Sequence, residues 1–379
     1  MNAIYLDHAA TSPTRPEVVD AMVPYFTTLY GNPSSIHQFG RNTRQALDEA
    51  RRTIASSIHA QFNEIVFTSG GTESDNMAII GAALSNQEKG KHIITSQIEH
   101  HAVLHAVEYL ERHGFEVTYL PVDEEGIVQI EQLEQTLRED TILVTIMYGN
   151  NEVGSIQPIR EIGSLLKEQE ILFHTDAVQA FGSINIDVNE LRVDLLSASS
   201  HKINGSKGNG FLYVRDGIRL EPRTFGGEQE RKRRAGTENV PGIMGMSKAV
   251  ELLFSEKNTR HENLRALKEK MLHAFDEADI RYVLNGPKEK ALPHVLNVSF
   301  LGTKVESMLV NLDLAGIAAS SGSACTAGSI EPSHVLAAMF DDTERMTSAI
   351  RFSFGYGNTM EDIEKAAKET VRIVRRLTS

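Results

Sequence analysis

Through the first two thirds of the chain, short apolar runs alternate with amphipathic stretches, and this alternation constrains the fold more than any other feature. The runs Glu64–Thr68, His92–Ser96, Val117–Val122, Ile142–Tyr148, Ile171–Asp176, Val193–Ser197 and Phe211–Val214 read as strands. Between most of them lie Thr43–Ile58, Asp75–Gln87, Ala102–Arg112, Ile130–Arg138 and Ile159–Gln169, which read as helices. Apolar strands joined through helices are βαβ units, so the spacing predicts an α/β fold whose mostly parallel sheet is covered on both faces. Ligands of such sheets sit beyond the carboxyl ends of the strands. After about residue 255 the pattern changes. Thr259-Arg-His-Glu262 reads as a capping box opening a helix to about Ala278. A strand at Val295–Phe300, helices near Val305–Ala315 and Pro332–Phe340, a strand at Ala349–Phe354 and a helix from Thr359 follow. The expected division is a large domain, residues 14–255, and a smaller α+β domain of residues 1–13 and 256–379. No internal repeat, low-complexity tract or long linker interrupts it.

Charge and cysteine content narrow the function. Thirty-eight Lys and Arg against 51 Asp and Glu give a net charge of −13, which repels phosphate backbones and argues against direct nucleic-acid binding. The longest apolar stretch, Met77–Leu84, is far short of the roughly 20 residues of a membrane helix. The opening MNAIYLDHAATSP has neither a basic nor an apolar leader region, so the expected location is cytoplasmic. A single Cys excludes an intrachain disulfide and a multi-cysteine metal site. A lone Cys is ordinarily a small buried hydrophobe. Cys325, however, lies in Ser-Ser-Gly-Ser-Ala-Cys-Thr-Ala-Gly-Ser (residues 320–329), without a large apolar neighbour, and is expected to be a reactive thiol.

Three further segments each follow a strand. Thr68-Ser-Gly-Gly-Thr-Glu-Ser74 opens a helix. Its glycines and unpaired N–H groups suit an anion, although an ordinary capped turn has the same look. It matches neither GxxxxGK[ST] nor GxGxxG, so ATP and dinucleotides are not indicated. Asp176, ending Ile171-Leu-Phe-His-Thr-Asp176, would cap the next helix or hold a cationic ring nitrogen. Lys202, in Ser197-Ala-Ser-Ser-His-Lys-Ile-Asn-Gly205, would be solvated surface or a Schiff-base lysine. An anion cradle, a carboxylate and a lysine in this order are the requirements of a pyridoxal phosphate site. His101 and His105, one helical turn apart, form a possible metal pair but lack a convincing third ligand, so no metal site is expected. His100 is better read as facing the cofactor. Arg231-Lys-Arg-Arg234 reads as a solvated loop that could gather a phosphate or an acidic partner. Arg351 would be ion-paired or clamp a carboxylate.

Together with these, Tyr5-Leu-Asp-His-Ala-Ala-Thr11, Gly31-Asn-Pro-Ser-Ser-Ile-His37, Asn150-Asn-Glu152, His174-Thr-Asp-Ala-Val-Gln179 and Ser323-Ala-Cys325 resemble the NifS/IscS-type cysteine desulfurases of the class-V aminotransferase family. The long small-residue loop around Cys325 is similar to the first desulfurase class rather than the SufS-like class. The resemblance implies the aminotransferase-like pyridoxal phosphate fold, a homodimer, and conversion of L-cysteine to L-alanine with a persulfide left on Cys325. By matching motifs, Lys202 would carry the cofactor and serve as base. Asp176 would pair with the ring nitrogen and Gln179 with the ring hydroxyl. Gly71, Thr72, Ser199 and His201 would hold the phosphate, with Thr237 reaching in from the neighbouring subunit. His100 would stack on the ring and move protons, while Asn151 and Arg351 would bind the substrate carboxylate. The chain ends at Ser379, where longer members carry a further segment that helps dock the iron–sulfur scaffold. A tRNA 2-thiouridylase is therefore expected as sulfur acceptor at least as readily as that scaffold. Two rival readings stand beside this one: an aminotransferase or other lyase for which Cys325 is incidental, and a non-catalytic binding protein.

Overall fold

The computed structural model describes residues 3–322 and 333–379. After a short strand Ile4–Tyr5 (β1), seven strands form one sheet: Ile65–Thr68 (β2), His92–Ser96 (β3), Glu116–Leu120 (β4), Thr141–Thr145 (β5), Leu172–Asp176 (β6), Leu195–Ser199 (β7) and Gly210–Val214 (β8). Their spatial order is β2-β8-β7-β6-β5-β3-β4. All pairs from β4 to β7 are parallel, while β8 runs antiparallel to both β7 and β2. Two antiparallel pairings in succession restore the direction, so β2, β6 and β7 end on the same edge of the sheet. The expected strands all form, with ends displaced by up to three residues.

Alternation along the strands sends neighbours to opposite faces. Val144, Leu196, Phe211 and Tyr213 join a core with Leu47, Ile54 and Met246 on one face. Leu143, Leu195 and Leu212 join Met77, Ile79, Val103 and Val107 on the other. Every residue of β5, β7 and β8 is buried. Their Val, Leu, Ile and Phe side chains contribute roughly 1.5–3 kcal/mol each when fully buried, which ties the helices to both faces.

The remaining strands are Tyr282–Asn285 (β9), Val295–Phe300 (β10), Ile317–Ala318 (β11) and Ala349–Ser353 (β12). β10 lies between β12 and β9, antiparallel to both, and β1 pairs in parallel with β11. A separate core of Phe275, Phe300, Phe352, Ile363 and Val374 takes in Leu6 from the start of the chain. No helix among the described residues is long and apolar enough to cross a membrane.

One expectation is corrected. Thr259 and Glu262 do not form a capping box, because the helix Lys257–Glu277 has already begun and its N-cap, Glu256, makes no side-chain cap bond. Glu256 is also the C-cap of the preceding helix Val240–Ser255, so the second helix continues from the first without an open terminus to cap. That preceding helix, the helix Pro16–Met22 and β9 were not expected from the sequence. By contrast, Thr359 and Asp362 form a genuine capping box at the start of Met360–Thr378.

Candidate active site

At the shared sheet edge, β2 gives way to Ser69 and Gly70, and the helix Gly71–Asn86 begins. Gly70 has φ of +148°, a conformation that side chains rarely adopt, and a β-carbon on Gly71 would fall 2.7 Å from Val178 Cγ2. Glycine at both positions lets the helix N-terminus approach the next segment closely. The first-turn N–H groups of a helix lack intrahelical partners and point outward. Glu73 closes the turn from outside by accepting from the Ser69 N–H at 2.6 Å and from Arg234 Nε at 2.7 Å. The basic run thus braces this loop through Arg234.

β6 delivers Asp176. The residue is 5% exposed, and its Oδ1 accepts the Val178 N–H at 2.8 Å. Burial pushes its pKa up to about 6, against the pull of that N–H and of the Lys202 charge. β7 ends at Ser199, and the single 3-10 turn Ser200–Lys202 follows at once. Asn204, at φ of +64°, turns the chain back so that Lys202 projects over the sheet edge. Its Nζ donates to the carbonyl oxygens of Ala9 and Ala10, the latter at 2.8 Å. The N-terminal segment is pinned there a second time, because Ser12 Oγ donates to the His201 carbonyl at 2.6 Å and accepts from the Asn204 N–H at 2.9 Å.

These elements enclose a cavity of about 300 Å³ lined by Gly71, Thr72, His100, Asn151, Asp176, Gln179, Ser199, His201, Lys202 and Arg351, together with Ala9, Ala10, Asp75, Met147, Gly149, Val178 and Gly322. Every expected site residue but two is therefore in one place. Thr237 is exposed and outside the cavity wall. Cys325 lies outside the described residues.

His100 is the N-cap of the helix His101–Glu111, its Nδ1 accepting from the Ala102 N–H at 3.1 Å. The proton of the neutral ring is thereby placed on Nε2. Burial, then the Lys202 charge and then the neighbouring histidines, lowers its pKa to about 4. His201 is lowered to about 4 by burial and then by Lys202. Both rings are neutral near pH 7. Gln179 donates to the Ala9 carbonyl at 2.9 Å, and its Oε1 lies 3.0 Å from His294 Nε2. Arg351, 3% exposed, donates to Asp7 Oδ1 at 2.8 Å and to the Asn151 carbonyl at 3.1 Å. Its buried Nε has no hydrogen-bond partner. The guanidinium is ion-paired, and the residue lines the cavity.

Two further buried carboxylates, Asp75 in the cavity wall and Glu99 bonded to the lining residue Met147, were not singled out in the sequence. Asp75, 1% exposed, has an Oδ1 without a hydrogen bond, 3.6 Å from His174 Nε2. Burial, and then the Asp176 charge, raises its pKa well above the usual range. Glu99 is wholly buried, accepts from Ser96 Oγ at 2.6 Å and from the Met147 N–H, and is pushed up to about 8 by burial. The signal that could have found Asp75 is a lone carboxylate at the head of the apolar run Met77–Leu84. His101 and His105 stack with ring centroids 5.2 Å apart, and His334 lies 4.8 Å from His101.

The class-V aminotransferase family profile matches residues 4–366. A protein of Bacillus subtilis (strain 168) is 57% identical over the whole of both chains and carries, provisionally, the name cysteine desulfurase IscS 1. The chain belongs to the class-V aminotransferases, on their cysteine desulfurase branch. Among solved structures, a NifS-like protein superposes with a TM-score of 0.93 at 36% identity, covering 99% of this chain and 100% of its own. A structure described as SspA in complex with cysteine gives 0.83 at 36%, covering 93% and 98%. The fold is therefore the aminotransferase-like pyridoxal phosphate fold, and the family depends on that cofactor. The residues present fit it. A glycine-lined helix N-terminus with Thr72, Ser199 and His201 suits a phosphate, a buried carboxylate suits a ring nitrogen, and a lysine between them suits an aldehyde.

Proposed function

We propose that the chain is a cysteine desulfurase that converts L-cysteine to L-alanine and holds the released sulfur as a persulfide on Cys325. The observation that carries this reading is the convergence of Lys202, Asp176 and the Gly71 helix terminus on one cavity, in a desulfurase-branch chain with one Cys. Bound pyridoxal phosphate would supply an electron sink for the carbanion chemistry. Gly71, Thr72, Ser199 and His201 would hold its phosphate, Asp176 its ring nitrogen, Gln179 its ring hydroxyl and Lys202 its aldehyde carbon.

Arg351 and Asn151 bind the substrate carboxylate, the guanidinium supplying charge-assisted donors. Lys202 takes the α-proton of the substrate. His100, neutral near pH 7 with its proton on Nε2, would face the cofactor ring and pass protons to and from the substrate side. The Cys325 thiolate attacks the substrate sulfur. The S–S bond forms as the C–S bond breaks, the electron pair returns to carbon, and protonation there gives alanine. The sulfur then passes to an acceptor protein, a tRNA 2-thiouridylase or an iron–sulfur scaffold. With a net charge of −13, RNA contacts are left to that partner.

The working unit we propose is a homodimer in which Thr237 completes the neighbour's phosphate site. Its exposure away from its own cavity supports this, as do the exposed Phe26, Tyr30, Ile36, Phe39 and Phe225, the last two 54% and 80% exposed. The test compares wild type with Cys325→Ser and Lys202→Ala under L-cysteine and a thiol acceptor. Both variants are expected to lose alanine and sulfide release by at least a hundredfold. Alanine release by Cys325→Ser at the wild-type rate would return the chain to lyase or transaminase chemistry.

A further inference from the structure

We infer that His294 is a positioning residue for the cofactor: it locks the side-chain amide of Gln179 so that only an N–H remains to meet the ring hydroxyl. The inference rests on Gln179 being the partner of that hydroxyl. His294 directly precedes β10, 115 residues from Gln179 along the chain, and no motif marks it in the sequence. Its ring is buried. Its carbonyl accepts the Phe354 N–H at 2.9 Å, which fixes the backbone where β10 and β12 meet. Gln179 lines the active cavity, whereas His294 is not among the lining residues and acts there only through Gln179.

The hydrogen-bond roles follow from one fixed acceptor. The Ala9 carbonyl can only accept, so the Gln179 atom 2.9 Å from it is Nε2. The amide oxygen then faces His294, and the ring Nε2, 3.0 Å away, must be the donor. Burial, and then Arg260, Lys268, His8 and Lys202 in that order, hold the pKa of His294 well below the usual range. The ring is therefore neutral and carries one N–H. With that proton on Nε2, Nδ1 is left as an acceptor, and the Ser183 hydroxyl donates to it at 3.3 Å. Every role in the chain Ser183–His294–Gln179–Ala9 is thus assigned. One amide N–H of Gln179 has no partner among the described residues.

A buried amide oxygen without a donor is unfavourable, so without His294 the Gln179 side chain would turn away to satisfy it. The consequence falls on the cofactor. An N–H donated to the ring oxygen draws off negative charge and weakens that oxygen's hold on the proton of the nitrogen joining cofactor and Lys202. Losing the donor raises the pH at which this proton leaves, and the cofactor's visible absorbance reports its departure. Asp176, His100 and His201 also face Lys202 and are common to every enzyme compared below.

The test is a pH titration of the visible absorbance of purified holoenzyme, with no substrate present. The midpoint in His294→Leu is expected to rise by at least roughly half a pH unit, a threefold change in the proton's dissociation constant. Gln179→Ala should raise it at least as far, and the two substitutions combined should add nothing beyond Gln179→Ala alone. His294→Gln, whose amide nitrogen reaches about as far as the ring Nε2, should bring the midpoint back to within roughly 0.2 of wild type. His294→Asn ends where the ring has its Nδ1, falls short of Gln179 and should behave as His294→Leu; it carries the test should His294→Leu fail to fold. A wild-type midpoint in His294→Leu and His294→Asn, with that of Gln179→Ala raised, would overturn the inference. So would a His294→Gln enzyme shifted as far as His294→Leu, which would leave His294 a merely structural role. An unshifted midpoint in Gln179→Ala would instead overturn the reading of Gln179 on which the inference rests.

Discussion

Asp75, Glu99 and Asp176 bring three carboxyl groups to one small cavity, each at most 5% exposed. Burial raises all three pKa values, and of the three only Asp176 is expected to meet a compensating cation on the cofactor. For Glu99, the folded pKa of about 8 lies above the usual 4.5. Between those values the folded protein retains a proton that the unfolded chain releases, so this group makes stability fall as pH rises across that window. Glu99→Gln removes the titration while an amide oxygen keeps the bonds from Ser96 and Met147. Thermal melts of the holoenzyme should therefore show Glu99→Gln gaining several degrees over wild type at pH 8.5 relative to its difference at pH 5. Equal differences at the two pH values would mean that burial does not govern this proton. Lys202, Asp176 and His100 were legible because each ends a strand or opens a helix beside small residues. Asp75 and Glu99 were not, since a linear pattern does not reveal which carboxylates a fold will enclose. The resemblance to the desulfurases pointed to Gln179, Thr72 and Asn151, which the residues alone would not have singled out.

The elements bring these side chains together because β2, β6 and β7 end on one edge, and the start of the helix Gly71–Asn86 shows how closely that edge is packed. A methyl group on Gly71 would press on Val178, whose N–H holds Asp176. Gly71→Ala should thus disturb the phosphate cradle and the ring-nitrogen partner together. We expect titration with pyridoxal phosphate to show affinity reduced at least tenfold, with the melting temperature of the cofactor-free protein within a few degrees of wild type. Unaltered affinity would show that the cradle lies elsewhere. The sheet was readable because its strands are short apolar runs set between one-sided helices. The helix Val240–Ser255 was not, being buried around most of its circumference and so lacking a polar stripe to mark its period. The supposed capping box at Thr259 had the right residues but no helix start to serve.

At the scale of the molecule, the buried apolar side chains gather into separate cores. Val18 to Leu253 build the two faces of the large sheet, while Leu6 joins residues Leu264–Val374. Residues 3–13 thus root in one core, through Leu6, and press Ala9 and Ala10 against the lysine carried by the other. Arg351 adds a second tie, reaching from β12 to Asp7 and to Asn151. The cavity draws on segments rooted in both cores, which is why its lining residues are spread from Ala9 to Arg351 and why no local stretch of sequence contains them. The central claim concerns sulfur on Cys325, and an intact mass of the holoenzyme, before and after brief exposure to L-cysteine without reductant, tests it most directly. The account predicts a gain of at least one sulfur atom, absent in Cys325→Ser and in Lys202→Ala. An unchanged mass in wild type with pyridoxal phosphate bound would contradict it.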